Sequence, residues 1–145
     1  DKPDYAQAMR LFKRAADMRS AEGNFNLAYM YQKGLGVTVD YTTAIMYYSA
    51  AADLGDMYAM NNLGMIYDQG LGTKPDYLQA LNWYTKAAAL GDANAQCNVG
   101  VFYFEGIGVE KDYKRARNWF TMAKQSGCKS AGLYLAKINQ SESSK

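Results

Sequence analysis

The chain has 145 residues, of which 49% are hydrophobic and 21% are charged, and its formal net charge is +2. It contains no histidine, which excludes Ser-His-Asp and Cys-His nucleophile systems, HExxH metal sites and the usual proton shuttle near neutral pH. The longest stretches without a charged residue, 41–52 and 93–104, have 12 residues each, too few for a membrane-spanning helix of about 18 or more apolar residues.

The chain is expected to open in the middle of a repeating unit. Residues 1–5 (Asp-Lys-Pro-Asp-Tyr) nearly match residues 73–77 (Thr-Lys-Pro-Asp-Tyr), which precede a later helix. We therefore expect the second helix of a pair to come first, with one face uncovered. The initial Asp in place of Met suggests a cut from a longer polypeptide or a processed product.

Residues 21–56 predict two helices joined by a glycine turn. From Ala21 to Lys33 the core-type residues recur at helical spacing, which predicts an amphipathic helix, here called helix A. Gly34 is expected to end it, because glycine adopts the left-handed conformation without a Cβ penalty. Asp40 has the position and chemistry of an N-cap, and helix B is predicted from Tyr41 to about Leu54.

This unit recurs with a period of 36 residues and without insertions. A fixed period of this size is typical of a repeat array, in which each unit buries its apolar face against the next. The most regular columns are Asp4, Asp40, Asp76 and Asp112; Ala8, Ala44, Ala80 and Ala116; Phe12, Tyr48, Tyr84 and Phe120; Ala15, Ala51, Ala87 and Ala123; and Leu27, Leu63, Val99 and Leu135.

The chain is predicted to end on a helix A from about Ser130 to Asn139, followed by a polar tail at 141–145. This gives eight helices in the order BABABABA, in one all-α array of about four repeats. The expected units are 1–20 (partial), 21–56, 57–92, 93–128 and 129–140 (a partial cap). We expect a monomer, or association through the uncapped N-terminal face.

Charge is distributed unevenly along the array. Residues 1–20 carry +2, residues 21–109 carry −5 and residues 110–145 carry +5. The middle of the array therefore lacks the basic stripe that a nucleic-acid partner would need. We interpret the basic end as a solvated helix face.

The two cysteines, Cys97 and Cys128, are 31 residues apart, which is not the repeat period. A disulfide needs Cα atoms within about 7 Å, whereas stacked helices pack about 8–10 Å apart. Free thiols are therefore expected. No cluster with metal-ligand spacing is present, and we predict no catalytic residue, metal or cofactor.

The columns resemble the Sel1-like repeat family, a relative of the tetratricopeptide repeats. The family pattern has an Ala-x-x-x-Leu-Gly-x-x-Tyr helix, a Gly-x-Gly turn, an Asp, and a helix with Ala, Trp-Tyr and Lys-Ala-Ala. Departures are Thr73, Gly23, Ala28 and Arg19, the last standing where Gly55 and Gly91 stand. The pattern is carried by Ala59, Leu63, Gly64, Tyr67, Gly70, Gly72, Asp76, Ala80, Trp83, Tyr84, Lys86, Ala87 and Ala88, and again by Ala95, Val99, Gly100, Tyr103, Gly106, Gly108, Val109, Asp112, Ala116, Trp119 and Phe120.

The resemblance implies a right-handed α/α superhelix of antiparallel helix pairs, a solenoid that serves as an adaptor and carries out no reaction. Cysteine-rich members of the family join each helix pair by a disulfide, whose second cysteine would fall near Ala52 and Ala88, so this chain is not of that subtype. A periplasmic or secreted bacterial protein is favoured over a cytoplasmic one.

In such arrays helix A lines the concave surface, which is where a protein or peptide partner would bind. Because positions i, i+4 and i+7 share a helix face, positions 25, 29 and 32 and their equivalents are predicted to project into the groove. A ladder of asparagines at position 26 could bond the backbone of an extended peptide, or could bond an adjacent repeat. The predicted binding residues are Phe25, Asn26, Tyr29, Gln32, Asn61, Asn62, Met65, Asp68, Cys97, Asn98, Val101 and Phe104.

Two other interpretations of this strip remain open. Its apolar members could instead pack on the neighbouring repeat. Its aromatic members could recognise a glycan or a peptidoglycan-like polymer rather than a protein. Competition by a short peptide would favour the protein partner, and competition by a soluble sugar would favour the glycan.

Overall fold

A computed structural model of the protein describes residues 3–143. Within this range the chain forms eight α-helices of 13 residues each and no β-strand, and none of these helices is long and apolar enough to cross a membrane. The chain separates into two compact units between Pro75 and Asp76. The helices are α1 (Tyr5–Asp17), α2 (Ala21–Lys33), α3 (Tyr41–Asp53) and α4 (Met57–Gln69) in the first unit, and α5 (Tyr77–Ala89), α6 (Ala93–Glu105), α7 (Tyr113–Gln125) and α8 (Ala131–Ser143) in the second.

The fold is an all-α solenoid of about four two-helix repeats, as the period predicts. The even-numbered helices are of type A and the odd-numbered helices of type B. The predicted helix A at Ala21 to Lys33 is confirmed, and the helix B that follows ends at Asp53, with Leu54 as its C-cap.

Each of the first seven helices begins with a side chain that accepts a hydrogen bond from a backbone amide that the helix leaves free. At α3, Asp40 accepts from the Thr43 amide over 3.1 Å and from the Thr43 hydroxyl over 2.6 Å. These hydrogen bonds, above all the one from the hydroxyl, lower the pKa of Asp40. The capping residues are Asp4, Ser20, Asp40, Asp56, Asp76, Asp92 and Asp112.

The turn between α1 and α2 contains a backbone conformation that side chains rarely adopt. Arg19 has φ of 59°, in the left-handed region. The equivalent positions of later repeats hold Gly55 and Gly91, with φ of 89° and 96°, and glycine adopts such angles readily. The arginine therefore carries backbone strain that its glycine equivalents avoid.

The core of the first unit follows the predicted columns. Ala44, Tyr48 and Ala51 of α3 are fully buried, as are Leu27 and Leu63. In addition to these columns, the Phe25 ring meets the Tyr48 ring edge to face, with 5.6 Å between centroids. Helices of type A and type B thus pack through small alanines on each side of one buried ring.

The second unit repeats this arrangement and contains a close approach of two helices. Ala116, Phe120 and Ala123 of α7 are fully buried. A Cβ atom built on Gly100 of α6 would lie 2.7 Å from the Phe120 ring, closer than packed atoms come. Position 100 therefore has to be glycine if the two helices are to keep their separation.

The last helix is longer than predicted. α8 extends to Ser143, so the expected end at Asn139 and the polar tail from 141 are wrong for the described residues; 144 and 145 lie outside them. The hydroxyls of Ser141 and Ser143 donate to carbonyls four residues earlier, and Arg117 of α7 pairs with Glu142. The contacts of Arg117 with Asn139 and Glu142 hold this polar part of α8 against α7.

Candidate partner-binding surface

Seven of the eight predicted binding residues on the type A helices of the first unit are at least partly exposed. We call them the helix A surface: Phe25, Asn26 and Tyr29 on α2, and Asn61, Asn62, Met65 and Asp68 on α4. Tyr29 is the most accessible of them, with 42% of its surface exposed, and the others are half-buried. The Lys33 ammonium, one turn along α2, lies 5.8 Å from the centre of the Tyr29 ring.

Gln32 was predicted to project from the same face, and this is wrong. Gln32 is buried, with only 6% of its surface exposed. The Tyr48 hydroxyl donates to Gln32 Oε1 over 2.6 Å, since a phenol in a core column needs a polar partner. The tyrosine at this position of a core column was the signal in the sequence that a nearby polar side chain would be buried.

The asparagine ladder makes hydrogen bonds and other contacts within the chain. Asn26 Nδ2 donates to the Glu22 carbonyl of its own helix over 2.9 Å. Asn62 makes a polar contact with Tyr48 that lowers the pKa of the phenol, although burial raises that pKa by more. Asn61 and Asn98 also have partners. Asn26 thus bonds its own helix, which is neither of the two roles considered, whereas Asn62 contacts the preceding repeat.

Asp68 is the acidic residue of the helix A surface. Partial burial raises its pKa, because a carboxyl group that is shielded from water is harder to ionise. Among residues 3–75 no ion pair with a basic side chain offsets this loss. A positively charged side chain next to Asp68 would stabilise the ionised carboxylate and so compensate for the lost contact with water.

In the second unit the equivalent positions face the core. The Phe104 ring lies 5.4 Å from the Tyr113 ring, 5.5 Å from the Tyr134 ring and 6.4 Å from the Phe120 ring, measured between centroids. Val101 also packs against this cluster. Packing on the neighbouring helices, the competing interpretation of the strip, is thus what these two residues show.

Cys97 is likewise unavailable, because it forms a disulfide with Cys128. The expectation of free thiols was wrong, and the two Cα atoms are 6.6 Å apart. The spacing of packed helices was the wrong measure, since Cys128 lies in the turn after α7 rather than in a helix. Ser130 Oγ lies 3.3 Å from each sulfur.

One residue that the sequence analysis did not single out belongs with this surface. Tyr58, in the first turn of α4, is 57% exposed. It precedes Asn62 by four residues and Met65 by seven, so it shares their side of the helix. Extending the helical spacing one step toward the start of α4 would have found it.

A cavity of about 470 Å³ opens at the turn between α6 and α7. Arg115 lies there, with its guanidinium 5.4 Å from the Tyr103 ring centre and its Nε 3.3 Å from Asp112 Oδ2. The lining has two acidic and two basic side chains, so it favours neither an anion nor a cation. Among residues 3–143, no group of three or more cysteine, aspartate or glutamate side chains is placed to hold a metal ion.

Comparison with known proteins matches each repeat. The Sel1 repeat pattern matches residues 1–20, 21–56, 58–92 and 93–128. No curated protein sequence matches the chain significantly. These four matched segments cover most of the chain.

Three solved structures illustrate the similarity. A Sel1 repeat protein from Oxalobacter formigenes is 38% identical with a TM-score of 0.86, and the match covers 92% of this chain and 55% of that one. A protective antigen of uropathogenic Escherichia coli strains, described as displaying an SLR fold, is 34% identical with a TM-score of 0.85, covering 93% and 29%. Cysteine rich protein B of Helicobacter pylori is 26% identical with a TM-score of 0.70, covering 88% and 92%.

The chain spans about half of the first of these relatives and less than a third of the second. Both the repeat pattern and the structural matches extend over nearly all of its length. The chain belongs to the Sel1 repeat family.

Proposed function

We propose that this chain is an interaction scaffold that binds a protein or peptide partner on the helix A surface of its first unit. Sel1 repeat proteins generally serve as protein-interaction scaffolds, and the family is a non-catalytic one. The exposure of Tyr29 supports this choice of surface, because its second-unit equivalent, Val101, is only partly exposed and packs against a core cluster, and Cys97 is held in a disulfide.

The chemistry of the surface suggests the features of the partner. Tyr29 and Met65 offer an aromatic ring and a flexible apolar side chain, which are common contacts in protein recognition. Asp68, whose pKa is raised by burial, favours a lysine or arginine in the bound segment. We therefore expect a partner segment that combines an apolar anchor with a basic residue.

The glycan alternative receives less support. Sugar recognition would need several exposed ring faces; of the three aromatic residues predicted in the strip only Tyr29 is exposed, and Tyr58 adds one more exposed ring to this surface. The other two, Phe25 and Phe104, use their rings in edge contacts with buried aromatic rings. The protein partner is therefore the function that we propose.

Site-specific photo-crosslinking tests where the partner binds. A photoreactive phenylalanine analogue would replace Tyr29 of the helix A surface or, as a control, Met46, which is 56% exposed on the type B helix α3. The proposal expects a protein adduct in the native host from position 29 and none from position 46. Adducts from position 46 alone would place the interface elsewhere.

Affinity measurements with the captured partner then test the chemistry. We expect the double substitution Tyr29→Ala and Met65→Ala to weaken binding about tenfold or more, while Met46→Ala leaves the affinity unchanged. Circular dichroism checks that helicity is preserved. Equal losses for both variants, or competition by a soluble sugar instead of a basic peptide, would contradict the proposal.

A further inference from the structure

We propose that Cys128 is a site of thiol–disulfide exchange, at which a small anionic thiol of the glutathione class becomes attached. The proposal is independent of the helix A surface, because it concerns a covalent modification of the second unit. It rests on the unequal burial of the two sulfur-bearing residues and on the charge around them.

The two ends of the disulfide differ in access. Cys97 is only 5% exposed and belongs to a core cluster with Phe120, Ala123 and Ile138. Cys128 lies in the turn between α7 and α8 and is partly exposed. An attacking thiolate approaches a disulfide along the S–S axis from behind the sulfur that it attacks. Cys97 is enclosed by the core cluster, whereas Cys128, which packs against that cluster from the turn, keeps part of its surface in solvent. We therefore expect the attacking thiolate to reach Cys128 first.

The reaction is therefore expected to proceed in one direction. The thiolate of the small thiol forms a bond to Cys128 Sγ, the bond between the two protein sulfurs breaks, and the electron pair leaves on Cys97 Sγ. The products are a mixed disulfide on Cys128 and a thiolate at Cys97, which then takes a proton from solvent. No further oxidant or reductant is needed.

Ser130 is placed to assist the leaving sulfur. Its hydroxyl oxygen lies 3.3 Å from both sulfurs. Once Cys128 carries the small thiol, the hydroxyl can donate to the Cys97 thiolate, which otherwise forms among apolar side chains. Burial without a donor would disfavour the thiolate. Ser130 acts here as a positioning residue, not as a group that reacts.

The surroundings of Cys128 favour a negatively charged thiol. Lys129 is the next residue and Lys124 lies in the last turn of α7, and both are exposed. Between Asp112 and Glu142 the sequence has six basic residues and no acidic one. Glutathione carries a net negative charge near neutral pH, so it should react faster than a neutral or cationic thiol.

Peptide mapping of the oxidised chain tests the direction of exchange. The chain would be treated briefly with reduced glutathione, alkylated and cut with trypsin, which separates the cysteines into peptides 87–111 and 125–129. We expect the glutathione adduct on 125–129 and the alkylated thiol on 87–111. An adduct on 87–111, an even division between the peptides, or two free thiols before treatment would overturn the proposal.

Rates provide the second test. We expect Ser130→Ala to slow the exchange about fivefold, the effect of losing one hydrogen bond of about 1 kcal/mol, and Ser126→Ala in the same turn to leave the rate unchanged. Glutathione should react about two- to fivefold faster than cysteamine at low salt, after correction for thiol pKa. Equal rates in both comparisons would remove the assigned roles of Ser130 and the lysines.

Single-cysteine variants keep the test informative if the serine variant does not fold. Cys97→Ser leaves the accessible thiol and Cys128→Ser leaves the buried one. We expect a chromogenic disulfide reagent to react about tenfold or more faster with the first variant, as the difference in access requires. Similar rates would overturn the proposed asymmetry.

Discussion

At the scale of single residues, Arg19 shows how one side chain departs from the repeat. Its backbone is left-handed, a conformation that costs a non-glycine residue about 1–2 kcal/mol. Replacement by glycine relieves this strain but makes the unfolded chain more flexible. We expect Arg19→Gly to raise the free energy of unfolding by about 0.5–1 kcal/mol, as measured by urea denaturation.

The equivalent glycine provides the control for Arg19. At Gly55 an added Cβ would meet no atom within 4 Å, so Gly55→Ala would introduce backbone strain alone. We expect it to lower stability by about 1 kcal/mol. A destabilising Arg19→Gly would show that side-chain contacts of the arginine outweigh the strain.

Tyr48 is the residue whose hydroxyl should matter most for stability. Tyr48→Phe removes the hydrogen bond to Gln32 Oε1 and leaves a buried amide oxygen unsatisfied. We expect a loss of about 1–3 kcal/mol, whereas Tyr58→Phe at an exposed position should change stability by less than about 0.5 kcal/mol.

Burial raises the pKa of Tyr48, so its contribution to stability is present below about pH 10 and is lost as the pH rises. Stability should therefore fall less steeply above that pH in Tyr48→Phe than in the parent chain.

The effect of Asp68 on stability should depend on pH in the opposite direction to that of a capping carboxylate such as Asp40. Its pKa is raised, so the protonated form suits the folded state, and this contribution is lost as the pH rises above the usual aspartate range. We expect Asp68→Asn to be more stable than the parent near neutral pH and equal to it near pH 3. The control is Asp40→Asn, which should be destabilising near neutral pH because hydrogen bonds lower the pKa of Asp40.

At the scale of helices, the close approach of α6 and α7 can be tested through two glycines. Gly100→Ala would press a methyl group into the buried Phe120 ring, and we expect this overpacking to cost about 1–3 kcal/mol. Gly132→Ala in α8 meets no atom within 4 Å. It should stabilise the chain by about 0.5–1 kcal/mol, because alanine is the better helix former. If both variants behaved alike, the packing of α6 on α7 would be looser than described.

The helices themselves were predictable because local signals agreed with the period. Asp40 and Gly34 marked the ends of helices correctly, since an N-cap and a left-handed C-terminal glycine act within a few residues. The end of α8 was not predictable in this way. It depends on Arg117, a residue of another helix, which binds Asn139 and Glu142 across 22 and 25 residues.

The predicted surface was less accurate for a related physical reason. Helical spacing states which residues share a face, but not what lies opposite that face. Gln32 and Phe104 have the spacing of groove residues, yet the Tyr48 hydroxyl and three aromatic rings occupy the space in front of them. Partners from distant parts of the sequence decide these cases.

At the scale of the whole molecule, the disulfide should make stability uneven along the chain. A crosslink between residues 31 apart stabilises a fold by about 3–4 kcal/mol through loop entropy, and both cysteines lie in the second unit. In repeat arrays stability is summed over neighbouring elements. We expect reduction to speed hydrogen exchange in α6 to α8 and leave α1 to α3 unchanged, as measured by mass spectrometry. Uniform acceleration would indicate that the array unfolds as one cooperative body.

The equal length of the eight helices described between residues 3 and 143 has a consequence for how such a chain can evolve. Because each copy of the 36-residue unit presents the same capping aspartate and the same alanine and aromatic columns at its borders, an in-frame duplication or excision of one copy would create a junction that the protein already contains. We expect changes in gene length that would ruin most domains to be tolerated here, so that the number of repeats can vary among descendants without a new fold.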